Sequence, residues 1–477
     1  MAPALDIETG IPLVIDLDGT LTVTDTLYES FARLMFRDPL AALASLTRIA
    51  RGPAAAKRYV AERCRLDAAT LPYRADLIDL VKAEKARGRP VHLVTAADQR
   101  IADEVAGELD LFESAIGSNG THNLKGASKA EHLRTCFPGG FIYAGDGDAD
   151  LAVFRAARGV ILCDVSPATE AAVAGASVLA SLRRPRSAAR AWIRAFRVHQ
   201  WAKNLLLFVP LFVGHAYTPH ALAAALIGFV LLCALSSATY LVNDLSDLDA
   251  DRQHATKRHR PFASGELKIL HGLIAAPLMI AGALIGALVL SPRFALALAG
   301  YLAVTSIYSF GLKRVPLLDV FAIGSLFTLR IVMGAEVIGL GHSPWLLSFA
   351  FAFFISLALA KRHGEVMRAA RIDIDEIVGR GYRGNDWPIT LSFGIGTGLV
   401  SVVIMLLYMT NDATPSGFYR QPGWLYAIAA LLTLWLMRIW LLSNRMLLHD
   451  DPVVFALRDR VSLVLGAAVG VAFALAL

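Results

Sequence analysis

The chain has 477 residues, enough for two or more domains, and 56% of them are hydrophobic. Its mean hydropathy of +0.52 lies well above that of soluble domains and favours an integral membrane protein over a wholly soluble enzyme. The net charge of +6 does not call for a nucleic-acid partner, because most of the later basic residues flank apolar runs, where they set membrane orientation.

The amino-terminal segment MAPALDIETGIPLVIDLDGT has no basic region followed by an apolar run. We therefore expect no cleaved signal peptide, and a cytoplasmic location for the soluble-type sequence that follows. Four scattered cysteines without metal-site or disulfide spacing fit the same reducing compartment.

Three short apolar strands are predicted in the first part of the chain, and each ends in polar residues. IPLVIDLDGTLT ends in Asp16 and Asp18, VHLVTAADQ in Thr95, and FIYAGDGDADLAVF in Asp146 and Asp150. Helical patterns lie between them, which predicts a parallel α/β sheet. In such a sheet the ligand site lies beyond the carboxyl ends of the strands, where all five residues fall.

The residue types at these strand ends indicate a phosphoryl-transfer site. Such a site combines a carboxylate nucleophile, a second carboxyl as acid or base, a hydroxyl and a lysine for the phosphate, and further acids for Mg²⁺. Lys129 in GASKAEHL supplies the lysine, and Lys125 in the same HNLKGASK segment is the alternative. A surface turn would explain DLDGT by itself, but three strand-end motifs with a lysine favour the site.

These motifs resemble the haloacid dehalogenase (HAD) superfamily of aspartate-nucleophile phosphatases, over about residues 10 to 180. The resemblance implies that Asp16 is the nucleophile and Asp18 the general acid/base, while Thr95 and Lys129 hold the phosphoryl group. The Mg²⁺ set that it implies consists of Asp16, Asp18, Asp146 and Asp150. The mainly helical segment from Asp25 to about Arg87 looks like a small cap over this site.

A basic segment with interleaved aromatic residues, SLRRPRSAARAWIRAFRVHQWAKN, follows the soluble-type part. This composition is typical of a helix lying at the cytoplasmic membrane surface, and a nucleic-acid-binding arm is the weaker alternative. The predicted domains are thus 1–180 for the HAD-like part, 181–203 for an interfacial linker and 204–477 for a membrane domain.

Nine apolar stretches predict membrane crossings, or eight if the short first one is interfacial. They cover residues 204–216, 220–242, 270–290, 294–311, 317–339, 344–360, 389–409, 423–442 and 460–477. Of the basic residues in the loops between these stretches, nearly all lie after the second, fourth, sixth and eighth stretches. This bias predicts that those four loops are cytoplasmic. We expect a bacterial-type inner membrane protein, with the HAD-like part and both active sites in the cytoplasm. The sequence leaves the oligomeric state open.

An acidic ladder begins where the second apolar stretch ends. Asn243, Asp244, Asp247 and Asp251 follow at offsets of zero, one, four and eight, so a helix would bring the three carboxylates to one face. Converging carboxylates at a membrane rim suit Mg²⁺, which binds through a few carboxylates together with substrate phosphates. A solvated loop of balanced charge and a transporter's coupling-ion site are the alternatives, although the latter would favour charges near the bilayer midplane.

Cationic side chains that could bind a polyanion surround the ladder in the sequence. HATKRHRP follows it directly with Lys257, Arg258 and Arg260. Further candidates lie near the ends of other stretches or inside one, namely Lys203, Tyr308, Lys313, Arg330, Lys361, Arg362 and Glu365. Arg330 falls within a predicted span, where a buried charge favours a functional role over salt bridging within the bundle.

NDLSDLDAD resembles the NDxxDxxxD signature of the UbiA superfamily of intramembrane prenyltransferases, and the likeness runs from about residue 190 to the end. DRQHATKRHRP, YSFGLK, TLRIVMGA and KRHGE resemble the branch that contains decaprenyl-phosphate phosphoribosyltransferase. That branch implies phosphoribosyl pyrophosphate as donor and a polyprenyl phosphate as acceptor. One departure from the branch is Ala255, where proline is expected.

A prenyltransferase with an aromatic acceptor would usually carry a second DxxxD-type motif after the sixth span. Lys361, Arg362 and Glu365 occupy that place here, and the acids of RIDIDE that follow have a different spacing. We therefore expect a bifunctional Mg²⁺-dependent enzyme that makes a polyprenyl-phosphate ribose 5-phosphate and then removes the 5-phosphate, for supply of a lipid-linked pentose. The alternatives are transfer from a prenyl diphosphate to a small acceptor beside an independent phosphatase, and a non-catalytic transporter or scaffold with a regulatory HAD module.

Overall fold

The computed structural model describes residues 5–184, 187–371, 377, 379–448 and 452–477. The chain forms two compact units, one of Met1–Phe196 with Tyr240–Ala276 and one of Arg197–Thr239 with Pro277–Leu477. The acidic ladder and HATKRHRP thus belong to the first unit, together with the HAD-like part. The domain limits expected at residues 180 and 204 stay predictions.

The first unit is an α/β fold. Its strands are β1 (Leu13–Ile15), β2 (Val91–Asp98), β3 (Ser114–Ser118), β4 (Ile142–Gly145), β5 (Gly159–Cys163) and β6 (Val178–Leu182). The helices in the first part of this unit, up to Phe196, are α1 (Thr26–Arg37), α2 (Pro39–Arg48), α3 (Pro53–Arg63), α4 (Ala75–Ala86), α5 (Gln99–Leu109), α6 (Ala127–Cys136), α7 (Leu151–Phe154), α8 (Pro167–Ala172) and α9 (Ala188–Ala195).

All six strands run parallel in the order β3-β2-β1-β4-β5-β6. The strands are apolar because both faces of the sheet are covered: Leu13 and Ile15 pack into one core, and Val14 packs into the other. The strand order reverses between β1 and β4, which is where open α/β sheets bind their ligands. Asp16 and Asp146 directly follow these two strands. The predicted α/β fold is therefore confirmed.

The remaining helices are apolar and form the predicted bundle, except for the short charged helix α12, which belongs to the first unit. They are α10 (Val209–Val213), α11 (Pro219–Ser246), α12 (Leu248–Gln253), α13 (Ile269–Leu290), α14 (Pro292–Phe310), α15 (Leu318–Ile338), α16 (Pro344–Arg371), α17 (Trp387–Tyr408), α18 (Gly423–Asn444), α19 (Pro452–Ala456) and α20 (Arg460–Ala476). Large apolar side chains on their outer faces stay exposed, such as Val289 at 83% and Leu296 at 76%. Exposed apolar surface of this extent fits contact with lipid.

Seven of the described helical runs are long and apolar enough to cross a membrane, so the predicted count of nine is approximate. They are α11, α13, α14, α15, α16, the run Gly384–Ala413 that contains α17, and α18. The first predicted stretch forms a 3₁₀ run, Val198–Phe208, followed by the five residues of α10. The last stretch, α20, is apolar but has only 17 residues.

Candidate functional sites

Three carboxylates meet at the carboxyl ends of β1 and β4. Oxygen atoms of Asp16, Asp146 and Asp150 lie within 4.8 Å of one another, and Asp16 and Asp150 are buried. Asp16 follows β1 directly, whereas Asp150 is carried by the short turn after β4. Together they offer the hard oxygen ligands that Mg²⁺ prefers, and a divalent cation would offset the repulsion between them.

The lysine of this site is Lys129, near the start of α6. Its buried ammonium donates to Asp16 Oδ1 at 2.6 Å and to the Tyr143 hydroxyl at 2.7 Å. Tyr143 in turn donates to Asp150 Oδ1 at 2.8 Å, so the lysine contacts one metal-site carboxylate directly and another through the tyrosine. The competing Lys125 lines the same cavity. The contact with Asp16 favours Lys129, and its role stays a prediction.

The pKa values of two carboxyls in this cluster, Asp146 and Asp150, are raised. Burial raises the pKa of Asp146 to about 7, and the Asp16 and Asp150 carboxylates add to the shift. Burial and the Asp16 carboxylate also raise the pKa of Asp150. These carboxyls therefore hold protons more tightly than exposed aspartates do, and a bound cation would compete with those protons.

Asp18 lies in a tight turn that begins directly after Asp16. Its Oδ1 accepts a hydrogen bond from the Thr26 backbone N–H at 2.7 Å, at the start of α1. Burial, reinforced by the Asp25 and Asp16 carboxylates, raises the pKa of Asp18 well above its usual value. A carboxyl that holds its proton more tightly than an exposed aspartate is suited to act as a general acid. Gly19 follows with a positive φ of 74°, and a Cβ there would overlap the carboxylate of Asp146.

The predicted hydroxyl, Thr95, is fully buried in β2, where its Oγ1 accepts from the Ala97 N–H at 3.0 Å. The neighbouring Ala96 lines the cavity instead. Sequence reasoning also missed Lys57 of α3, whose Nζ donates to the Ala96 carbonyl at 2.6 Å and to Asn123 Oδ1 at 3.2 Å. No motif marks Lys57, because it reaches the site from the helical cap.

These groups surround a cavity of about 430 Å³, large enough for a phosphorylated sugar. Carboxylates and lysines of the first 150 residues form most of its polar wall. Two further polar lining residues come from a distant part of the chain: Lys268 directly before α13 and His271 in its first turn, with the apolar Ile269 and Leu270 between them. Sequence reasoning had placed neither of them in this site.

Two of the three carboxylates of the acidic ladder, those of Asp244 and Asp251, come together, and the place of Asp247 in the set stays a prediction. Asn243 and Asp244 lie in the last turns of α11, Asp247 separates α11 from α12, and Asp251 lies in α12. The buried carboxylates of Asp244 and Asp251 converge on one guanidinium nitrogen, Arg260 Nη1, at 3.0 and 2.7 Å.

One atom of this ladder points to a missing ligand. Among the described residues, Asp251 Oδ1 is buried without a hydrogen-bond partner. Burial raises the pKa of Asp251, even though Arg260 opposes the shift. A carboxylate oxygen that is buried and unpaired is costly, so the donor set fits a divalent cation.

The other two cations of HATKRHRP differ from Arg260. Lys257 and Arg258 lie in an exposed 3₁₀ turn, Lys257–His259, whereas Arg260 is half-buried between two carboxylates. The three predicted cations are thus divided between a fixed partner of the acidic ladder and two exposed side chains.

Arg330 of α15 is buried in the second unit. Its guanidinium donates to Asn204 Oδ1 at 3.0 Å, to the Tyr301 hydroxyl at 2.9 Å and to the Leu326 carbonyl at 2.6 Å. All three partners are neutral, and no ion pair of Arg330 occurs within the described part of the chain. The salt-bridge alternative therefore does not account for this buried charge.

Arg362 has a structural partner that sequence reasoning missed. Its guanidinium donates to Asp319 Oδ2 at 2.6 Å and to Glu365 Oε2 at 2.5 Å. Tyr382 donates to the other oxygen of Asp319 at 2.8 Å, so one buried network joins α15, α16 and the segment before α17. Asp319 carries no motif, and only its burial against Arg362 reveals it.

The remaining predicted binding residues are dispersed in the second unit. The Tyr308 hydroxyl at the end of α14 accepts from Arg380 Nη1 at 3.1 Å, and Lys203 lies 5.8 Å from the centre of the Phe327 ring. Lys313 lies in the turn after α14, and Lys361 is half-buried on α16. The acids of RIDIDE, Asp373, Asp375 and Glu376, lie outside the described residues.

Comparison with known proteins identifies a family for the apolar second half of the chain. The model of the UbiA prenyltransferase family matches residues 206–457. An uncharacterised protein of Sinorhizobium fredii, y4nM, is 46% identical over 98% of this chain and 92% of its own. The nodulation protein NoeC of Azorhizobium caulinodans is 31% identical over 59% of this chain and 92% of its own.

The decaprenyl-phosphate phosphoribosyltransferase of Corynebacterium glutamicum is 34% identical over 38% of this chain and 57% of its own. Among solved structures, a UbiA homologue from Archaeoglobus fulgidus bound to GPP and Mg²⁺ aligns with a TM-score of 0.46 and 17% identity, over 60% of this chain and 99% of its own. A substrate-bound phosphoserine phosphatase aligns with a TM-score of 0.28 and 15% identity, over 37% of this chain and 95% of its own.

These findings confirm a parallel α/β fold in the first part of the chain and a UbiA-type transferase part whose helices are long and apolar enough to cross a membrane, while the HAD resemblance of the first part stays a prediction. The family match covers residues 206–457 of 477, and one relative is 46% identical along almost the whole chain. The chain therefore belongs to the UbiA prenyltransferase family.

Proposed function

We propose that this enzyme transfers 5-phosphoribose from phosphoribosyl pyrophosphate to a polyprenyl phosphate, and that its HAD-like part then removes the 5-phosphate. Among its relatives, several decaprenyl-phosphate phosphoribosyltransferases are 34–35% identical over part of the chain. The observation that carries the transfer reaction is the convergence of Asp244 and Asp251 on Arg260, with one oxygen of Asp251 left unpaired.

The transfer step needs charge neutralisation rather than a protein nucleophile. Asp244, Asp247 and Asp251 would hold Mg²⁺, which when bound neutralises the pyrophosphate as it leaves. The exposed Lys257 and Arg258 would bind the phosphates of the donor. The lipid phosphate oxygen forms the new bond to the anomeric carbon, while the bond from that carbon to the pyrophosphate oxygen breaks.

Cations of the second unit would orient the acceptor. Arg330 has neutral partners and a full charge, which suits it to attract a lipid phosphate. Lys203, Lys313 and Lys361 supply further positive charge. Arg362 is engaged by Asp319 and Glu365, and we assign it to holding the helices in place.

The phosphatase step would use the HAD-like site. The Asp16 carboxylate attacks phosphorus, the ester bond to the sugar breaks, and Asp18 gives its proton to the leaving hydroxyl oxygen. Asp18 then takes a proton from water, which attacks the aspartyl phosphate and releases inorganic phosphate and free Asp16. Lys129 holds the attacking carboxylate in place through its 2.6 Å hydrogen bond. Asp16, Asp146 and Asp150 would hold Mg²⁺, which neutralises the phosphoryl oxygens when bound.

Reciprocal variants of the full-length protein in detergent test both halves. With labelled phosphoribosyl pyrophosphate and farnesyl phosphate, we expect label in the lipid fraction as a dephosphorylated product. Asp16→Asn should accumulate the lipid-linked 5-phosphate, whereas Asp244→Asn should abolish labelling but still hydrolyse p-nitrophenyl phosphate.

Other outcomes would overturn the proposal in distinct ways. Transfer of a prenyl group from a prenyl diphosphate to a small acceptor, without use of the ribosyl donor, would assign the membrane domain to prenyl transfer. Absence of both transfers would favour a transporter or scaffold. If wild type releases only the 5-phosphate product and Asp16→Asn changes nothing, the two sites do not act in sequence.

We also propose a cytoplasmic location for both sites at a bacterial inner membrane. Nearly all the basic loop residues follow alternate apolar stretches, including the stretch that ends in the acidic ladder. Phosphoribosyl pyrophosphate carries several negative charges and does not cross a bilayer unaided. The proposed donor would therefore reach the enzyme from the cytoplasmic side. Cysteine labelling at the exposed Cys136 of intact cells against lysed cells tests the orientation.

A further inference from the structure

The cavity of the HAD-like site has one wall that does not come from the HAD-like sequence. Lys268 and His271 line it together with Asp16, Asp18 and Asp146. Both belong to the segment between α12 and the first turn of α13, more than a hundred residues after β4. The site is therefore completed by residues at the end of a helix that is long and apolar enough to cross a membrane.

The backbone of this wall packs closely against Val23 and Thr24, in the loop between β1 and α1. Gly265 has a positive φ of 72°, and a Cβ there would overlap the side chain of Val23, next to the cavity-lining Thr24. Phe262 is fully buried and packs edge-to-face on Trp192, with ring centres 6.4 Å apart. A loose loop would show neither feature, so the segment is part of the folded site.

Two bidentate ion pairs fix α12, the helix directly before this segment, to the helical cap. Arg252 donates to both oxygens of Glu29 at 2.5 and 3.0 Å, and Arg33 donates to both oxygens of Asp249 at 2.5 and 2.9 Å. Glu29 is fully buried. Because bidentate pairs of this kind fix orientation as well as distance, they hold the wall in register with the cavity.

Lys268 borders the cavity that holds the carboxylate cluster, because it lines the same space as Asp16, Asp18 and Asp146. The Lys268 side chain is itself exposed, and no ion pair to it occurs within the described residues. An exposed lysine on a cavity wall can pair with a second anionic group of a substrate whose first phosphate lies at Asp16.

We propose that Lys268 selects the phosphatase substrate by binding the phosphodiester that joins a phosphorylated sugar to a membrane lipid. The inference rests on the function proposed above, whose transfer product carries a 5-phosphate and a lipid phosphodiester on one ribose. The monoester enters the carboxylate cluster and the diester stays at Lys268, at the end of α13, where the lipid enters the bilayer. Soluble sugar phosphates lack the diester and bind less well.

The test compares two substrates with the full-length protein in phosphatidylcholine nanodiscs. One is synthetic farnesyl-phosphoribose 5-phosphate, and the other is ribose 5-phosphate. Lys268→Ala should raise KM for the lipid-linked substrate about tenfold, the effect of losing one charged hydrogen bond, with kcat little changed. Hydrolysis of ribose 5-phosphate should change less than about twofold. Lys268→Arg should restore most of the loss, and Lys82→Ala, at an exposed lysine of α4, is the matched control.

The outcomes separate this inference from the proposed function. Equal losses on both substrates would mean that Lys268 acts on the carboxylate cluster in general. No loss on either substrate would mean that Lys268 does not take part in substrate binding. Either result would overturn this inference and leave the proposed function untouched. If wild type hydrolyses ribose 5-phosphate but leaves the lipid-linked 5-phosphate intact, the proposed phosphatase function itself fails.

Discussion

Lys129 Nζ and Asp16 Oδ1 lie 2.6 Å apart, and both side chains are buried. We expect Lys129→Met to lower phosphatase activity more than about a hundredfold, because the attacking carboxylate loses its positioning charge. Lys125→Met should lower it less than about tenfold. Hydrolysis of p-nitrophenyl phosphate measures both, and phosphoribosyl transfer by the same preparations reports folding. A larger loss in Lys125→Met would reverse the assignment.

Gly19 tests the geometry of the carboxylate cluster. Gly19→Ala combines a positive φ with an overlap onto Asp146, so we expect about 1–2 kcal/mol of backbone strain and a displaced metal ligand. Mg²⁺ affinity, measured by titration calorimetry, should fall at least about tenfold. Gly147→Ala is the matched control, since Gly147 lies in the same cavity without positive φ and with nothing near its Cβ position. Equal behaviour of the two variants would contradict the model of the site.

The raised pKa of Asp146, about 7, predicts a pH dependence of metal stabilisation. The Asp146 carboxyl binds more protons in the folded chain than in the unfolded chain between about pH 4 and pH 7, so its contribution to stability falls as pH rises through that window. Mg²⁺ binds the deprotonated cluster and removes the repulsion. The increase in melting temperature on adding Mg²⁺ should therefore be larger at about pH 8 than at about pH 6.

Differential scanning fluorimetry with and without MgCl₂ measures this effect. Asp146→Asn should remove most of the pH dependence, whereas Asp79→Asn, at an exposed site on α4, should preserve it. A Mg²⁺ effect that is greater at low pH would have the wrong sign and would exclude Asp146 as a ligand.

The buried pair between Arg252 and Glu29 should stabilise the phosphatase site. Arg252→Met leaves the buried Glu29 with only the longer 3.4 Å pair to Arg33, and Glu29→Gln leaves the buried Arg252 without its carboxylate, each at a cost of about 3 kcal/mol. The double variant should lose much less than the sum of the two. Thermal inactivation of p-nitrophenyl phosphate hydrolysis provides the measurement. Arg65→Met is the control, because its pair with Glu104 is largely exposed; additive losses in the cycle would show that Arg252 and Glu29 do not interact.

Arg330 is held by three neutral acceptors in a geometry that only a guanidinium provides. Arg330→Lys should lower phosphoribosyl transfer more than about tenfold, because one ammonium cannot keep all three hydrogen bonds. Phosphatase activity should stay unchanged. Arg438→Lys, on α18 in a pair with Asp459, is the control. Full transfer activity in Arg330→Lys would exclude the guanidinium from acceptor binding.

Much of the first site could be predicted from sequence because its residues directly follow apolar strands. Asp16, Asp146 and Asp150 meet since parallel strands present their carboxyl ends at one edge of a sheet. Likewise Asp244 and Asp251 meet because helical spacing places them on one face. In both cases a local rule of geometry suffices.

The residues that were missed depend on contacts between distant parts of the chain. Lys57 reaches the cavity from the cap, and Lys268 reaches it from beyond α12. Asp319 is recognisable only through its pair with Arg362, 43 residues later. The form of the first apolar stretch was left open, because hydropathy cannot distinguish a 3₁₀ run from a single α-helix.

The first compact unit is assembled from two separate parts of the chain, and most of α11 lies between them. During synthesis the strands of the sheet emerge first, but the wall that contains Gly265 and Lys268 emerges only after α11. Domains generally fold as units, so this unit needs both of its parts to have been synthesised. Maturation of the phosphatase cavity is thus tied to insertion of the flanking helices into the bilayer. A fragment ending near residue 180 would lack this wall, so the phosphatase cavity is complete only once the chain has been synthesised past α11 and into α13.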